Sequence, residues 1–341
     1  MSELPGMNTE KLRRFLVDRG VAVTGELVVE LISGGRSNLT FTAHDDNSRW
    51  VVRRPPTGGL TPSAHDMNRE WTVTNALQGT DVPVAGTVAF DKEGEILGAP
   101  FTVVEFVDGL VVRSADELEA LSDDDVDRNL DGLVQALADL HAVDYQAVGL
   151  GEFGRPDGFV ARQVKLWARQ WEHVKTQELD DVATLHAALS ESIPARSENS
   201  IVHGDFRVDN TILAADDPGV VKAVVDWEMS TLGDPLTDVA LMCTYREPIF
   251  DEILGMKAAW TSARYPSGAD IAQRYATVSG RELSDWNFYL ALANFKLGVI
   301  GEGITHRARS GSSAGAGAEQ AAAVTGEFMA AGLRAIKGEN G

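Results

Sequence analysis

Residues 201–213 read IVHGDFRVDNTIL, and this block restricts the fold more than any other stretch of the chain. A His, two Asp and an Asn fall within eight residues, between branched apolar runs with the length and composition of short buried strands. A further apolar run, VVKAVVDW at 220–227, follows and ends on an acid and an indole. This order predicts a strand, a polar loop and more short strands, set into a half of the chain that is otherwise helical.

The rest of the chain frames that insertion. TEKLRRFLVDR (9–19) spaces its apolar residues as a helix, and Gly20 stops it. ELVVELI (26–32), LTFTAH (39–44) and RWVVRR (49–54) have strand composition, the first two joined by the glycine-containing SGGRSN. PPTGGLTPSA (55–64) is loop chemistry, and HDMNREWTVTNALQG (65–79) spaces as a helix ending at Gly79. Residues 87–109 predict a hairpin with its turn at Asp91–Gly94. Beyond Gly109 the spacing is helical at 117–144, 158–177, 181–191 and from 235 onward, with a low-complexity stretch at 308–323. The expectation is an α+β chain. Residues 1–108 form a small antiparallel sheet with one helix, and residues 109–341 form a larger, mainly helical unit.

Composition narrows the function. With 44% hydrophobic residues the chain can bury a sizeable core. No apolar run reaches the roughly 18 residues of a membrane helix, so no membrane partner is expected. MSELPGMNTEKLRRFL lacks the apolar centre of a secretory signal, and the single Cys243 can form no intramolecular disulfide. A cytoplasmic setting fits these features. A net charge of −21 argues against a nucleic-acid partner, whose phosphates require a basic face.

The polar block suits one chemistry in particular. Phosphoryl transfer from ATP needs a carboxylate to orient a hydroxyl and take its proton, and oxygen ligands to hold Mg²⁺ against the phosphates. An Asp followed five residues later by an Asn places Asp205 and Asn210 on one side of a tight loop. Asp226, at the end of the next hairpin, supplies a second metal-binding oxygen. A metal hydrolase would need several His at ligand spacing, and none of the seven His forms an H-x-H or H-x₃-H pair.

HGDFRVDN together with VVDWEMSTLGDPLTDVA resembles the aminoglycoside phosphotransferase and choline-kinase-like superfamily, which has a protein-kinase-like, two-lobed fold. The resemblance runs from about residue 30 to 310. It points to the branch that includes kinase domains fused to acyl-CoA dehydrogenases. It implies Asp205 as catalytic base, Asn210 and Asp226 as Mg²⁺ ligands, and His203 as a support of the loop. Regulated protein kinases carry Arg where this chain has Gly204, so constitutive activity is expected. Asp226-Trp227-Glu228 replaces the usual Asp-Phe-Gly, which makes a flipping loop less favourable. Asp234 and Asp238 resemble structural aspartates, with Asp238 accepting bonds from the catalytic-loop backbone.

The resemblance also assigns an ATP end. In ISGGRSNLTF (32–41), Gly34 and Gly35 let the backbone approach the phosphates, and Ser37 and Asn38 can donate to their oxygens. The third strand, WVVRRPP, has Arg53 and Arg54 where the family's phosphate-binding Lys is expected; register favours Arg53, with Glu70 as its charge partner. Backbone groups around Glu105–Val107 in FTVVEFVDG would meet adenine. The acceptor, a small-molecule hydroxyl, would sit between the catalytic loop and the C-terminal helices. There VKLWARQWEH (164–173), with Trp167 and Trp171, and DWNFYLALANFKLG (285–298) carry aromatics at helical spacing. Arg307 and Arg309 in THRARSG could bind an anion, and RAIKGENG offers no carboxylate of the kind aminoglycoside acceptors require. Resemblance to the acyl-CoA-dehydrogenase-linked branch favours a hydroxyacyl or other metabolic hydroxyl over an antibiotic. The rival reading is a catalytically silent, nucleotide-binding scaffold. The complete Asp205, Asn210 and Asp226 set argues against it, and the missing Lys argues for it. Either a monomer or a homodimer is compatible with the sequence.

Overall fold

The computed structural model of the protein describes residues 4–32, 38–57, 66–311 and 318–339. The chain opens with helix α1 (Thr9–Asp18), whose first turn is capped by the Asn8 side chain. Strands β1 (Val28–Leu31), β2 (Leu39–His44) and β3 (Arg49–Arg54) follow, then helix α2 (Met67–Ala76) and strands β4 (Thr87–Asp91) and β5 (Phe101–Glu105). The strands make a five-stranded antiparallel sheet in the order β1-β2-β3-β5-β4.

Strand parity decides which side chains reach which face. Along β3, Trp50, Val52 and Arg54 are buried under α1, where Leu12, Phe15 and Leu16 pack against Phe41, Phe101 and Val103. Val51 and Arg53 alternate to the opposite face. That face looks toward α2 and the second lobe. The apolar side of α2 (Val73 and Leu77) belongs to the large core of the second lobe, so α2 is packed between the two lobes.

The second lobe is helical. It contains α3 (Ala115–Glu119), α4 (Asp123–Ala142), α5 (Phe159–Val174) and α6 (Asp180–Glu191). The helical spacing read across 117–144 is broken in the structure, because Ser122 caps a new helix with a reciprocal Asp125 bond. Four short strands come next: β6 (Ser200–Val202), β7 (Thr211–Leu213), β8 (Val221–Val224) and β9 (Thr231–Gly233). They pair as two small antiparallel ladders, β6 with β9 and β7 with β8. β9 has no counterpart in the sequence reading; its three residues are too short to show a period. Helices α7 (Pro235–Thr244), α8 (Phe250–Leu254), α9 (Gly268–Ser279), α10 (Trp286–Arg309) and α11 (Ala318–Ile336) complete the lobe around buried Trp227, Trp260, Phe206, Tyr275 and Phe295. The turn expected at Asp91–Gly94 is part of a longer connection across 92–100. Its start is tied by Asp91, which accepts from the Gly94 and Ile96 amides.

Among the described residues, several polar contacts join the lobes. The Val224 amide donates to the Pro83 carbonyl at 2.8 Å. Arg69 donates to the Ser230 carbonyl at 2.7 Å. Arg53 reaches Asp226.

Candidate active site

The polar loop is shaped by its backbone before any side chain acts. Gly204 sits at φ 83°, and a Cβ there would lie 2.8 Å from the Met229 carbonyl oxygen, so both conformation and space call for glycine. Asp238, in the first turn of α7, accepts from the His203 amide at 2.6 Å and the Gly204 amide at 2.8 Å. His203 uses both ring nitrogens within the loop. Nδ1 accepts from the Asp205 amide at 3.2 Å, so the proton sits on Nε2, 3.0 Å from the Val225 carbonyl. With its ring packed 4.8 Å from that of Trp227, His203 acts as a strut. Asp234 caps α7 and accepts from Ser197 and Tyr289, at 2.8 Å each.

The loop presents Asp205 and Asn210 together. Asn210 Nδ2 donates to Asp205 Oδ2 at 2.9 Å and to the Asp205 carbonyl at 2.8 Å. The hydroxyl of Tyr245, the residue that closes α7, donates to Asp205 Oδ1 at 2.6 Å. Arg207 Nε lies 3.4 Å from the same oxygen, and its Nη1 pairs with Asp209 at 2.7 Å. Burial alone would raise the Asp205 carboxyl, but Arg207, the Tyr245 hydroxyl and Lys296 together hold it below the ordinary carboxylate range. Asp205 is therefore an anion at neutral pH.

Asp226 comes to the same place from the adjoining hairpin. It adopts the left-handed conformation (φ 67°, ψ 57°), which Asp tolerates better than most residues. The Val225 amide donates to the Asn210 carbonyl at 2.9 Å and locks the two segments together. Arg53 bridges the lobes: Nη1 meets Glu70 Oε1 at 2.8 Å, and Nη2 meets Asp226 Oδ1 at 3.2 Å. Burial disfavours the Arg53 charge, but Glu70 and Asp226, with a contribution from Glu228, outweigh it and raise the guanidinium above its usual value. Glu70 is nearly shielded at 10% side-chain exposure, whereas Asp226 at 35% opens to the cleft. Arg54 points to the other face of the sheet, where it donates to the carbonyls of Gly6, Leu97 and Pro55.

Of the other residues singled out from the sequence, Gly34, Gly35 and Ser37 lie outside the described residues. Asn38 is buried immediately before β2. Glu105 is exposed at the end of β5, its amide bonded to the Gly86 carbonyl at 2.8 Å. The half-buried Val107 that follows has no backbone partner among the described residues. Trp171 is core, whereas Trp167 lines a cavity of about 460 Å³ beside the loop at Gly204. Phe159, Leu166, Leu241 and Leu292 form its apolar walls, and Gly204 and Lys296 its polar edge. Lys296 Nζ donates to the Gly204 carbonyl at 2.8 Å and lies 5.7 Å from the Trp167 ring centroid. Burial lowers its pKa, though Asp205 and Asp238 favour its charge. Arg309 instead bonds the Thr176 carbonyl and Arg307 is exposed; neither lines this cavity.

Three side chains at this site escaped the sequence reading. Arg207 stands inside the quoted motif, where its charge was the available signal. Tyr245 lies 40 residues beyond Asp205 and Lys296 lies 92 beyond Gly204, both on helices whose spacing shows only apolar packing.

Comparison with known proteins agrees with this fold. Residues 28–271 match the model of the phosphotransferase enzyme family. A Ralstonia eutropha protein assigned as an aminoglycoside phosphotransferase superposes with a TM-score of 0.84 at 32% identity, covering 97% of this chain and 98% of that one. The aminoglycoside phosphotransferase APH(4)-Ia, solved with ADP and hygromycin B, shares the fold at a TM-score of 0.61 and 16% identity, over 95% of this chain and 97% of that one. Acyl-CoA dehydrogenase family member 10 of Mus musculus is 31% identical over 91% of this chain and 29% of its own length. Family member 11 of Homo sapiens is 29% identical over 87% of this chain and 38% of its own length. The chain thus spans about a third of those relatives. From the kinase-like fold, the matched span and the Ralstonia likeness together, the chain belongs to the phosphotransferase enzyme family.

Proposed function

We propose that this chain is an ATP- and Mg²⁺-dependent O-phosphotransferase that moves the γ-phosphate to a hydroxyl of a small molecule. The observation that supports this most is Asn210 bonded to Asp205 and, through its carbonyl, to the amide just before Asp226, with Arg53 reaching Asp226 from the sheet.

The donor set suits the metal. Asp226 offers a cleft-facing carboxylate and Asn210 an amide oxygen, and Mg²⁺ takes few protein ligands, completing its shell with water and phosphate. When bound, the ion neutralises charge on the phosphate oxygens. Asp205, held ionised, orients the acceptor hydroxyl and takes its proton as the oxygen attacks. Arg53, locked by Glu70, binds phosphate oxygens in the place usually taken by a Lys, and its planar fork can engage two of them. The free backbone groups of Val107 meet adenine. His203, Asp234 and Asp238 hold the loop and take no part in chemistry.

The cavity beside Gly204 favours an acceptor with an apolar arm. Its walls are largely apolar and its ionic edge carries Lys296; Asp238, its acid, is occupied by the loop amides. A polycationic sugar would find no available carboxylate there. The likeness to acyl-CoA dehydrogenase family members adds weight to a hydroxyacyl-type acceptor. The second reading, a silent nucleotide-binding scaffold, draws on the Arg53–Asp226 pair, which ties a phosphate-binding residue to a metal ligand. A panel of hydroxylated acceptors, hydroxyacyl-CoA compounds and aminoglycosides included, separates the two. Mg²⁺-dependent ADP production with a hydroxyacyl compound is expected; nucleotide binding with no turnover on any acceptor favours the scaffold.

A further inference from the structure

We propose that Tyr245 is a positioning residue for phosphate transfer, holding the Asp205 carboxylate in its working orientation from the side opposite Asn210. This rests on the phosphotransferase reading above. A carboxylate turns about the bond that joins it to its Cβ, and one hydrogen bond leaves that rotation loose. Asp205 has a donor on each oxygen: the Tyr245 hydroxyl at 2.6 Å on Oδ1 and the Asn210 amide at 2.9 Å on Oδ2. Two donors on opposite oxygens set the plane of the group and leave one lone pair on each oxygen for a hydroxyl.

The position of Tyr245 is itself over-determined. Its ring is buried against Phe250 at 4.5 Å between centroids, with the Arg207 guanidinium 5.5 Å from its own centroid. Its amide closes α7 on Leu241. The same helix supplies Asp238 to the His203 and Gly204 amides, so α7 fixes the loop backbone with one residue and the loop carboxylate with another. Burial and the neighbouring Asp205 push the phenol well above its ordinary pKa, so it remains a donor and takes no proton from the acceptor. The proton released by the acceptor hydroxyl goes to Asp205, as before.

Two substitutions separate this role from packing. Tyr245→Phe removes the hydroxyl and keeps the ring; Tyr245→Leu removes both. Measured on the full chain with Mg-ATP and the hydroxyacyl-CoA panel, Tyr245→Phe is expected to lower kcat by about tenfold to a hundredfold, the cost of a loosely held group. The KM for ATP and the melting temperature should stay close to wild type. If only Tyr245→Leu loses activity, the residue is packing and the inference is overturned. A readout without turnover accompanies these. Site-specific 3-fluorotyrosine at 245 should give a ¹⁹F resonance that moves in Asp205→Asn and stays in place in Asp124→Asn, a change on the exposed face of α4. A resonance indifferent to Asp205→Asn overturns the inference in a chain that transfers phosphate and in one that does not. A resonance that moves in a chain with no transfer activity keeps the hydrogen bond and removes the phosphotransferase reading.

Discussion

At the residue scale the account divides a crowded polar loop into chemistry and support. In the proposed reaction Asp205 takes the acceptor's proton, so Asp205→Asn is expected to lower turnover by about 10²–10⁴-fold while leaving nucleotide affinity unchanged, as a filter-binding or calorimetric titration would report. Arg53 makes a different prediction, because it is half of a shielded ion pair with Glu70. Arg53→Met strands the Glu70 carboxyl and should cost about 3 kcal/mol of stability in chemical denaturation. The double variant Arg53→Met/Glu70→Met should regain much of that stability and still bind Mg-ATP weakly. If it binds as tightly as wild type, Arg53 has no part in holding phosphate. The sequence made Asp205, Asn210 and Asp226 legible because they fall in a short block of unusual polarity. Arg53 over Arg54 came from register with the family's V-x-K pattern, and the structure sends their guanidinium groups to opposite faces of the sheet. Tyr245 and Lys296 were not legible, because each reads as one more residue of a helix until the fold brings it to the loop.

At the scale of elements, α7 and the strut around His203 fix the loop. Gly204→Ala would force a Cβ into a positive-φ position against the Met229 carbonyl, and the expected cost is about 1–3 kcal/mol together with a loss of turnover. A wild-type unfolding midpoint in that variant would show that the turn tolerates a side chain. Behind the loop, buried His141 lies 3.4 Å from Asp238 and 2.7 Å from the Tyr275 hydroxyl. Burial lowers the His141 pKa below 6.5 in the folded chain, against the pull of Asp238. The unfolded chain therefore binds this proton first as the pH falls. Stability is full above about 6.5 and declines as the pH drops toward the folded value. His141→Asn should flatten the decline of stability as the pH falls below about 6.5, and an unchanged slope would assign the acid sensitivity elsewhere. The break at Ser122 was harder to read, because a capping Ser followed by three Asp also suits a helix interior facing solvent. Of the short strands near 200–233, β6, β7 and β8 were legible in kind but not in length, and β9 was not legible at all, since three residues do not establish a period.

At the scale of the whole molecule, the two lobes and the five-stranded sheet with its covering helix follow the change of texture near Gly109. The packing of α2 between the lobes was hidden, because a single amphipathic helix does not name the core it joins. That placement matters: α2 delivers Glu70 to Arg53 and Arg69 to the Ser230 carbonyl, so the sheet and the segment after Asp226 are held by one helix. The proposed acceptor pocket is also a property of the assembled molecule, formed by α5, α7 and α10 around Lys296. Lys296→Met should preserve the nucleotide KM and raise the KM for an anionic acceptor about tenfold, as steady-state kinetics with both substrates varied would show. The most direct test of the central claim follows the phosphate itself. With γ-labelled ATP, Mg²⁺ and a hydroxyacyl acceptor, the wild-type chain should move label to the hydroxyl only when the metal is present, and Asp205→Asn should bind the nucleotide and move almost none. Equal labelling by Asp205→Asn, or a wild-type chain that holds Mg-ATP and labels no acceptor, would contradict the account.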